Sequence, residues 1–476
     1  MKMQINGKAV GASSGEFFDI TNPATGKLID RVPRGAGEDV TAAVEAASSA
    51  FDGWASKSPQ QRSRVLYRAA EIVRQKRDEL AVLLTQEQGK PLLEAKNEIG
   101  GFANVLEYYC GLASSPGGDF TQIPQNGYAF TVKKPLGVCA AIIPWNMPAL
   151  IMAWKIGPAL ISGNTFILKP ASNTHLTNLS LASILNEAGL PAGVLNVTTG
   201  PGEFVGEALV ENPRVKRISF TGEIGTGKHV AEMAAAGMKR VTLELGGSDP
   251  MIVCDDADLE SAVLGALRGR FYNCGQTCTA VKRLYIFESI AEEFIKKLET
   301  AIRDLRVGNG MHDNVDMGPL NNRSQWEYVK ELVAETEEKE EGKIITGGKV
   351  PENSLFGNGY FFEPTLIVDV AGESRLLKEE VFGPVLPVVR VKNLDEAIEE
   401  ANNSIYGLGA SIWTKNLDRA LLGCKELNAG IVWINQHLKV APEVPFGGIK
   451  ESGIGRENGP ESLSEYLDTR TIMLKT

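Results

Sequence analysis

Val215-Lys216-Arg217-Ile218-Ser219-Phe220-Thr221-Gly222-Glu223-Ile224-Gly225-Thr226-Gly227-Lys228 is the stretch whose reading decides the fold. Val215–Phe220 reads as a short strand, and Gly225–Ala235 reads as a helix. The glycines between them let the backbone approach a ligand closely, and a helix N-terminus favours an anion. Three readings are open at this point. A phosphate loop is one, because Gly222, Gly227 and Lys228 fit G-x-x-x-x-G-K. The next residue is His229, however, not the Ser or Thr that would hold Mg²⁺. A dinucleotide pyrophosphate site is the second, and a glycine-rich turn with no ligand is the third.

The surroundings favour the second. Short β-branched runs occur at Val138–Ile143, Thr165–Leu168, Val194–Thr198, Val215–Phe220, Val241–Leu245 and Met251–Cys254. Helical stretches such as Leu176–Glu187 lie between the earlier ones. Continuous apolar strands separated by helices predict a parallel sheet covered on both faces. Such sheets bind ligands at the carboxyl ends of their strands. A second βα region is expected from Asp258 to about Phe446. The chain starts with a hairpin-like segment, including the turn chemistry of Asn22-Pro23-Ala24-Thr25-Gly26, and then helices. Val40, Val44, Ala47 and Phe51 recur at helical spacing, as do Leu66, Ala69, Ala70 and Val73. Glu335–Glu341 reads as a solvated helix face. Leu467–Lys475 reads as an exposed strand that a partner subunit could cover.

Length and composition narrow the function classes. The chain has 476 residues, which suits two or three domains. It is 43% hydrophobic and 23% charged, with a net charge of −10. The acidic balance argues against a general nucleic-acid binder, which needs a basic face to displace counterions. No apolar run reaches the roughly 18–20 residues that span a bilayer. Met1–Val10 lacks the apolar core of a signal peptide. Six scattered Cys do not form a disulfide framework, so a cytoplasmic protein with reduced thiols is expected. The four His lie apart from one another and from any Cys pair, which speaks against a zinc site.

Three further segments could carry chemistry. In Phe271-Tyr272-Asn273-Cys274-Gly275-Gln276-Thr277-Cys278-Thr279, two Cys lie among polar residues, an unusual setting for core cysteines. A helix beginning near Cys278 would lower its thiol pKa. Glu244-Leu245-Gly246-Gly247 places a carboxylate at a strand end, where it could serve as a general base or simply be solvated. In Pro144-Trp145-Asn146-Met147-Pro148 the prolines fix the backbone, so the Asn amide could be held as a rigid donor.

Read together, these segments resemble the NAD(P)-dependent aldehyde dehydrogenase superfamily, of the hydrolytic, non-acylating type. The resemblance runs through nearly the whole chain. It includes Lys169-Pro170-Ala171, Gly308-Asn309, Met317-Gly318-Pro319, Glu379-Glu380-Val381-Phe382-Gly383-Pro384 and Pro445-Phe446-Gly447-Gly448. It implies an α/β fold with a Rossmann-type dinucleotide-binding domain (residues 1–119 and 137–246) and an α/β catalytic domain (247–447). A small β oligomerisation region (120–136 and 460–476) completes it. It implies that Cys278 is the nucleophile, forming a thiohemiacetal and then a thioester. Asn146 and the Cys278 N–H would form the oxyanion hole, with each donor worth about 3–4 kcal/mol. Glu244 would activate the hydrolytic water. The cofactor residues implied are Trp145, Lys169, Ser172, Gly222, Glu223, Leu245, Glu380 and Phe382. Lys169 would hold the adenosine ribose, Glu380 the nicotinamide ribose, and Phe382 would pack near the nicotinamide. Homodimers or homotetramers are expected.

Departures from the family pattern sharpen the reading. Many NAD-preferring members have Glu where this chain has Ser172. A Glu there would repel a 2′-phosphate, whereas Ser can donate to it, so NADP is expected to be preferred and NAD also used. Glu223 stands where a Ser is usual, and its side-chain contact with the pyrophosphate does not carry over. Thr277 stands where several succinic semialdehyde members have Arg, although Lys439 could supply a cation. Thr277, Thr279 and His437 suit a small hydroxylated aldehyde such as glyceraldehyde or lactaldehyde. Met147, Leu150, Ile151 and Trp154, at helical spacing, wall a substrate tunnel or pack the core. With Asn146 and Phe446 they complete the expected substrate set. The alternatives are a succinic semialdehyde dehydrogenase, a CoA-acylating enzyme, a non-catalytic protein on the same fold, and the phosphate-loop NTPase.

Overall fold

The computed structural model describes residues 1–124, 127–352 and 356–475. Residues 125, 126 and 476, which fall in the two segments expected to oligomerise, lie outside that description. The N-terminal helices form where the spacing predicts them. Gly37–Ala55 buries Val40, Val44 and Ala47. Pro59–Gln75 starts at a capping box, in which Ser58 Oγ accepts from the Gln61 N–H and Gln61 Oε1 accepts from the Ser58 N–H. It buries Leu66, Ala69, Ala70 and Val73.

Among the described residues, eight strands form the first sheet. In spatial order they are Gly453–Ile454, Arg240–Glu244, Val215–Thr221, Val138–Ile142, Thr165–Lys169, Leu195–Val197, Met3–Ile5 and Lys8–Val10. Its centre is parallel, and Val138–Ile142 pairs with both Thr165–Lys169 and Val215–Thr221. Nearly every residue of these central strands is buried, as a sheet covered on both faces requires. The registers Ile142↔Lys169 and Thr221↔Glu244 bring the carboxyl ends to one edge.

The second sheet has the order Lys343–Thr346, Thr365–Val368, Val385–Val391, Val281–Phe287, Asp249–Val253, Gly409–Trp413, Ile431–Ile434. The run Met251–Cys254, read from sequence with the first set of strands, therefore belongs here. Gly246 and Gly247 carry the chain out of the first sheet. A Cβ on Gly247 would lie 2.7 Å from the Cys278 carbonyl oxygen, so the crossing point is too tight for a side chain. The strand Gly127–Pro135 pairs with Phe120–Ile123 on one side and with Leu467–Leu474 on the other. All of the last strand but Leu467 is exposed, in agreement with the sequence reading.

A buried ion pair locks the C-terminal segment onto the first sheet. Lys155 Nζ lies 2.7 Å from Glu457 Oε1, which also accepts from Ser219 Oγ at 2.8 Å. No helix among the described residues is long and apolar enough to cross a membrane.

Helix Leu259–Phe271 packs on strand Gly409–Trp413 through Gly265, where an added Cβ would meet the Trp413 ring at 2.3 Å. Gly265→Ala is expected to cost about 1–3 kcal/mol of stability by overpacking. The check is the thermal unfolding midpoint, and an unchanged midpoint would contradict this packing.

Candidate active site

Asn146 follows the central strand Val138–Ile142 and precedes helix Pro148–Ile161, in which Pro148 sits in the first turn. It is buried, and its Nδ2 donates to the Gln276 carbonyl at 3.0 Å. Its own carbonyl accepts from Lys90 Nζ at 2.9 Å and from Asn273 Nδ2 at 3.0 Å. The amide is held rigidly, as the flanking prolines suggest, but most of the hold comes from these buried donors. Lys90 is itself paired with buried Glu98.

Glu244 ends its strand, and both of its carboxylate oxygens are buried without a hydrogen-bond partner among the described residues. Burial pushes its pKa up to about 7, while the neighbouring Cys278 thiol and the Lys155 ammonium pull it back. Cys278 is half-buried, whereas Cys110, Cys139, Cys254 and Cys274 are buried and Cys424 is exposed. The expected helix at Cys278 is absent. Helix Leu259–Phe271 stops before it, and the next regular element is the strand Val281–Phe287. In between, Asn273 and Cys274 adopt left-handed φ values of 52° and 56°. The turn exists because Asn273 spends its polar groups on long-range partners. Its N–H donates to Glu94 Oε2 at 2.9 Å and its amide to Asn146. Burial, with Glu244 next to it, holds the Cys278 thiol well above its ordinary range, and Lys282 opposes them.

Two cavities meet at this point. The first, of about 610 Å³, is lined by Trp145, Gly222, Glu223, Leu245, Glu380 and Phe382 together with Glu244. Helix Ile224–Ala236 opens at its wall. Trp145 and Phe382 pack edge-on with centroids 5.5 Å apart. A Cβ on Gly246 would fall 2.2 Å from Glu380 Oε2, so the carboxylate lies directly on the backbone there. A Cβ on Gly225 would meet Glu223 Oε1 at 3.8 Å, an ordinary contact, whereas Gly227 is required by Leu245 packing, 2.4 Å from its absent Cβ. Glu223 is exposed at the helix N-terminus, where a carboxylate is favourable. Lys228 faces outward and pairs with Glu451 at 2.9 Å, which removes it from any phosphate loop. Lys169 and Ser172 do not line this cavity. Lys169 Nζ is buried and donates to the Pro170 carbonyl at 3.1 Å. Burial brings its pKa down to about 8.

The second cavity, of about 740 Å³, is lined by Met147, Trp154, Thr277, Thr279, His437 and Phe446. Asn146, Ile151 and Cys278 belong to both walls. Sequence reasoning missed much of this lining, including Leu264, Leu267 and Phe271 at helical spacing, and buried Glu94 and Tyr272. Lys439 is exposed, and its neighbours Leu438 and Val440 line the wall instead. Both ring nitrogens of His437 are engaged, one with Ser411 Oγ at 2.9 Å and the other with the Thr279 carbonyl at 2.8 Å. Lys282 was also missed, although two adjacent cations, Lys282 and Arg283, inside an apolar strand were a signal.

Residues 10–472 match the aldehyde dehydrogenase family. The phenylacetaldehyde dehydrogenase of Pseudomonas fluorescens is 42% identical, covering 99% of this chain and 95% of that protein. The NADP-dependent succinate-semialdehyde dehydrogenase of Escherichia coli K12 is 40% identical, over 99% and 97% of the two chains. Among solved structures, the betaine aldehyde dehydrogenase of Staphylococcus aureus in complex with NAD⁺ superposes with a TM-score of 0.97 at 36% identity, covering 100% of this chain and 95% of that one. The chain belongs to the aldehyde dehydrogenase family and is an NAD(P)-dependent oxidoreductase acting on aldehydes.

Glu244 links the site to stability. Its pKa is about 7 in the fold against an ordinary 4.5, so the folded protein holds this proton longer than the unfolded chain. Stability is therefore lost as pH rises across that window. Glu244→Gln, neutral throughout, should gain on the order of 3 kcal/mol relative to the native protein between about pH 4.5 and about pH 7. Thermal midpoints at about pH 5 and about pH 8 test the sign. An equal effect at both would mean that Glu244 is ionised throughout.

Proposed function

We propose that this enzyme oxidises apolar aldehydes, of the arylalkyl kind, to carboxylic acids through covalent chemistry on Cys278, with NADP preferred over NAD. The observation that carries the reading is that Cys278 and Asn146 lie on the walls of both cavities with Glu244 alongside.

The chemistry follows from the chain's own groups. Burial raises the pKa of both the Cys278 thiol and the Glu244 carboxyl, and at about 7 the latter is partly ionised at neutral pH, so the ionised Glu244 carboxylate beside the thiol is the base that takes its proton. The sulfur then attacks the aldehyde carbon to give a thiohemiacetal. Asn146 Nδ2 has two hydrogens and spends one on Gln276, which leaves the other for the oxyanion beside the Cys278 N–H. A bound nicotinamide dinucleotide supplies the hydride acceptor that turns this adduct into a thioester. Glu244 gives up the thiol's proton to solvent and then takes one from the water that attacks the thioester, the C–S bond breaks, the carboxylic acid leaves and the Cys278 sulfur is regenerated.

The first cavity fits such a cofactor. It combines the glycines Gly222 and Gly225 in its wall, a helix N-terminus suited to phosphate, and Glu380 and Phe382 for the nicotinamide end. Lys169 makes one hydrogen bond, to the Pro170 carbonyl, which leaves two donors for ribose or a 2′-phosphate. With Ser172 in place of a carboxylate, this supports NADP. We assign residues 1–119 and 137–246 to cofactor binding, 247–447 to the catalytic half and 120–136 with 460–476 to oligomerisation. Three of the four sheets, those of eight, seven and three strands, support that division, and the fourth, Phe17–Thr21 with Leu28–Pro33, lies within the first segment.

The second cavity favours an apolar substrate over the hydroxylated one suggested by Thr277, Thr279 and His437. The His437 ring has no nitrogen left for a substrate hydroxyl, and apolar side chains, chiefly Leu, make up more than half of the walls, beside Glu94, Arg268 and Asp316. The phenylacetaldehyde dehydrogenase relative agrees with this. The test is an aldehyde panel assayed with NADP and with NAD. Phenylacetaldehyde should exceed glyceraldehyde and succinic semialdehyde in kcat/KM by about tenfold or more. A preference for glyceraldehyde would overturn the substrate class. Cys278→Ser should lower kcat by about 10³-fold or more, and Asn146→Ala by about 10²–10³-fold. Ser172→Glu should move the cofactor ratio toward NAD, and an unchanged ratio would defeat the NADP reading.

A further inference from the structure

Lys282 is a fully buried ammonium behind the nucleophile. Its three donors are all used: on the Thr277 carbonyl at 2.9 Å, the Cys278 carbonyl at 2.6 Å and Glu380 Oε1 at 2.9 Å. Its Nζ also lies 5.6 Å from the centre of the Phe382 ring, whose edge-on partner is Trp145, the residue before Asn146. One side chain thus touches the main chain of Cys278 and two residues of the first cavity. Glu380 accepts from the Gly247 N–H at 3.2 Å as well, but Gly247 meets the Cys278 carbonyl only by packing, whereas Lys282 hydrogen-bonds it.

We propose that Lys282 is a positioning residue that ties the cofactor-side carboxylate of Glu380 to the backbone of Cys278, so that a dinucleotide contact at Glu380 is transmitted to the nucleophile. The proposal rests on the reading of Cys278 given above. Charge reinforces the geometry. Glu244 and Glu380 face the thiol from the first cavity, and Asp249 lies on the neighbouring strand. Arg283 turns its guanidinium to the carbonyls of Ser248 and Ala401, and burial keeps His437 neutral at pH 7. Lys282 is the cation that acts on the Cys278 thiol, whereas Lys155 acts on Glu244 and Arg283 shares Asp249 with Lys282. Removing Lys282 leaves two carbonyls and a carboxylate without their donor and takes the favourable charge away from the thiolate.

The experiment follows iodoacetamide alkylation of Cys278 by peptide mass, with and without saturating NADP, using exposed Cys424 as an internal reference. In the native protein, NADP should change the Cys278 rate by about fivefold or more, the lower range of measured couplings. In Lys282→Met that change should vanish, and the pH midpoint of alkylation without cofactor should rise by about one unit. Lys282→Arg should restore the midpoint. Glu380→Gln should abolish the NADP effect, with bound NADP verified by fluorescence, and lower the midpoint without cofactor, because it removes one carboxylate that faces the thiol. If Lys282→Met does not fold, Lys282→Gln replaces it, since it keeps amide donors and loses only the charge. The proposal is overturned if NADP leaves the native Cys278 rate unchanged, or if a folded neutral variant retains the full NADP effect. Cys278→Ser separates the two readings. Full turnover in that variant would sink the nucleophile assignment itself, whereas an inactive Cys278→Ser with an unresponsive Lys282 series would sink only the coupling.

Discussion

The Asn146 carbonyl is the point on which the site depends. It accepts from Lys90, carried by an N-terminal segment, and from Asn273, carried by the turn before Cys278. Asn146 itself follows the central strand of the first sheet. Three stretches distant in sequence therefore close on one buried peptide group. Lys90 is paired there with the buried Glu98 carboxylate, which also accepts from the Ala149 N–H at 2.8 Å. Loss of either partner would strand a charge, which costs far more than an ordinary hydrogen bond.

The same logic explains the local strain. Two successive residues without glycine's freedom, Asn273 and Cys274, take left-handed conformations. Such geometry costs on the order of 1–3 kcal/mol per residue and survives only where the surroundings over-determine it. Here Asn273 has partners on its N–H, on its amide and on its carbonyl, which accepts from Gln276 Nε2 at 2.9 Å. The turn aims Cys278 back toward the first sheet instead of letting the helix run on through it.

What could be read from sequence divides along the same line. The strands and helices of the first sheet were legible because each rests on local apolar periodicity, as in Leu176–Glu187, where predicted and observed limits coincide. Glu244 and Asn146 were legible as strand-end and proline-framed residues. The conformation at Cys278 was not, because Glu94 and Asn146, which impose it, lie far away in the chain. Met251–Cys254 looked like its predecessors because a buried parallel strand carries no mark of which sheet it will join. The second cavity draws its walls from several separated segments, so its apolar character emerges only on folding. Lys439 was a reasonable source of charge until its exposure put it outside the wall.

The shared boundary between the cavities has one more consequence. They meet at Asn146, Ile151 and Cys278 and otherwise have separate linings. Two molecules that reach one sulfur through separate doorways need not pass each other on the way in or out. Either can be exchanged with solvent while its neighbour stays seated, so the order of arrival and departure is set by how tightly each is held rather than by which one blocks the exit.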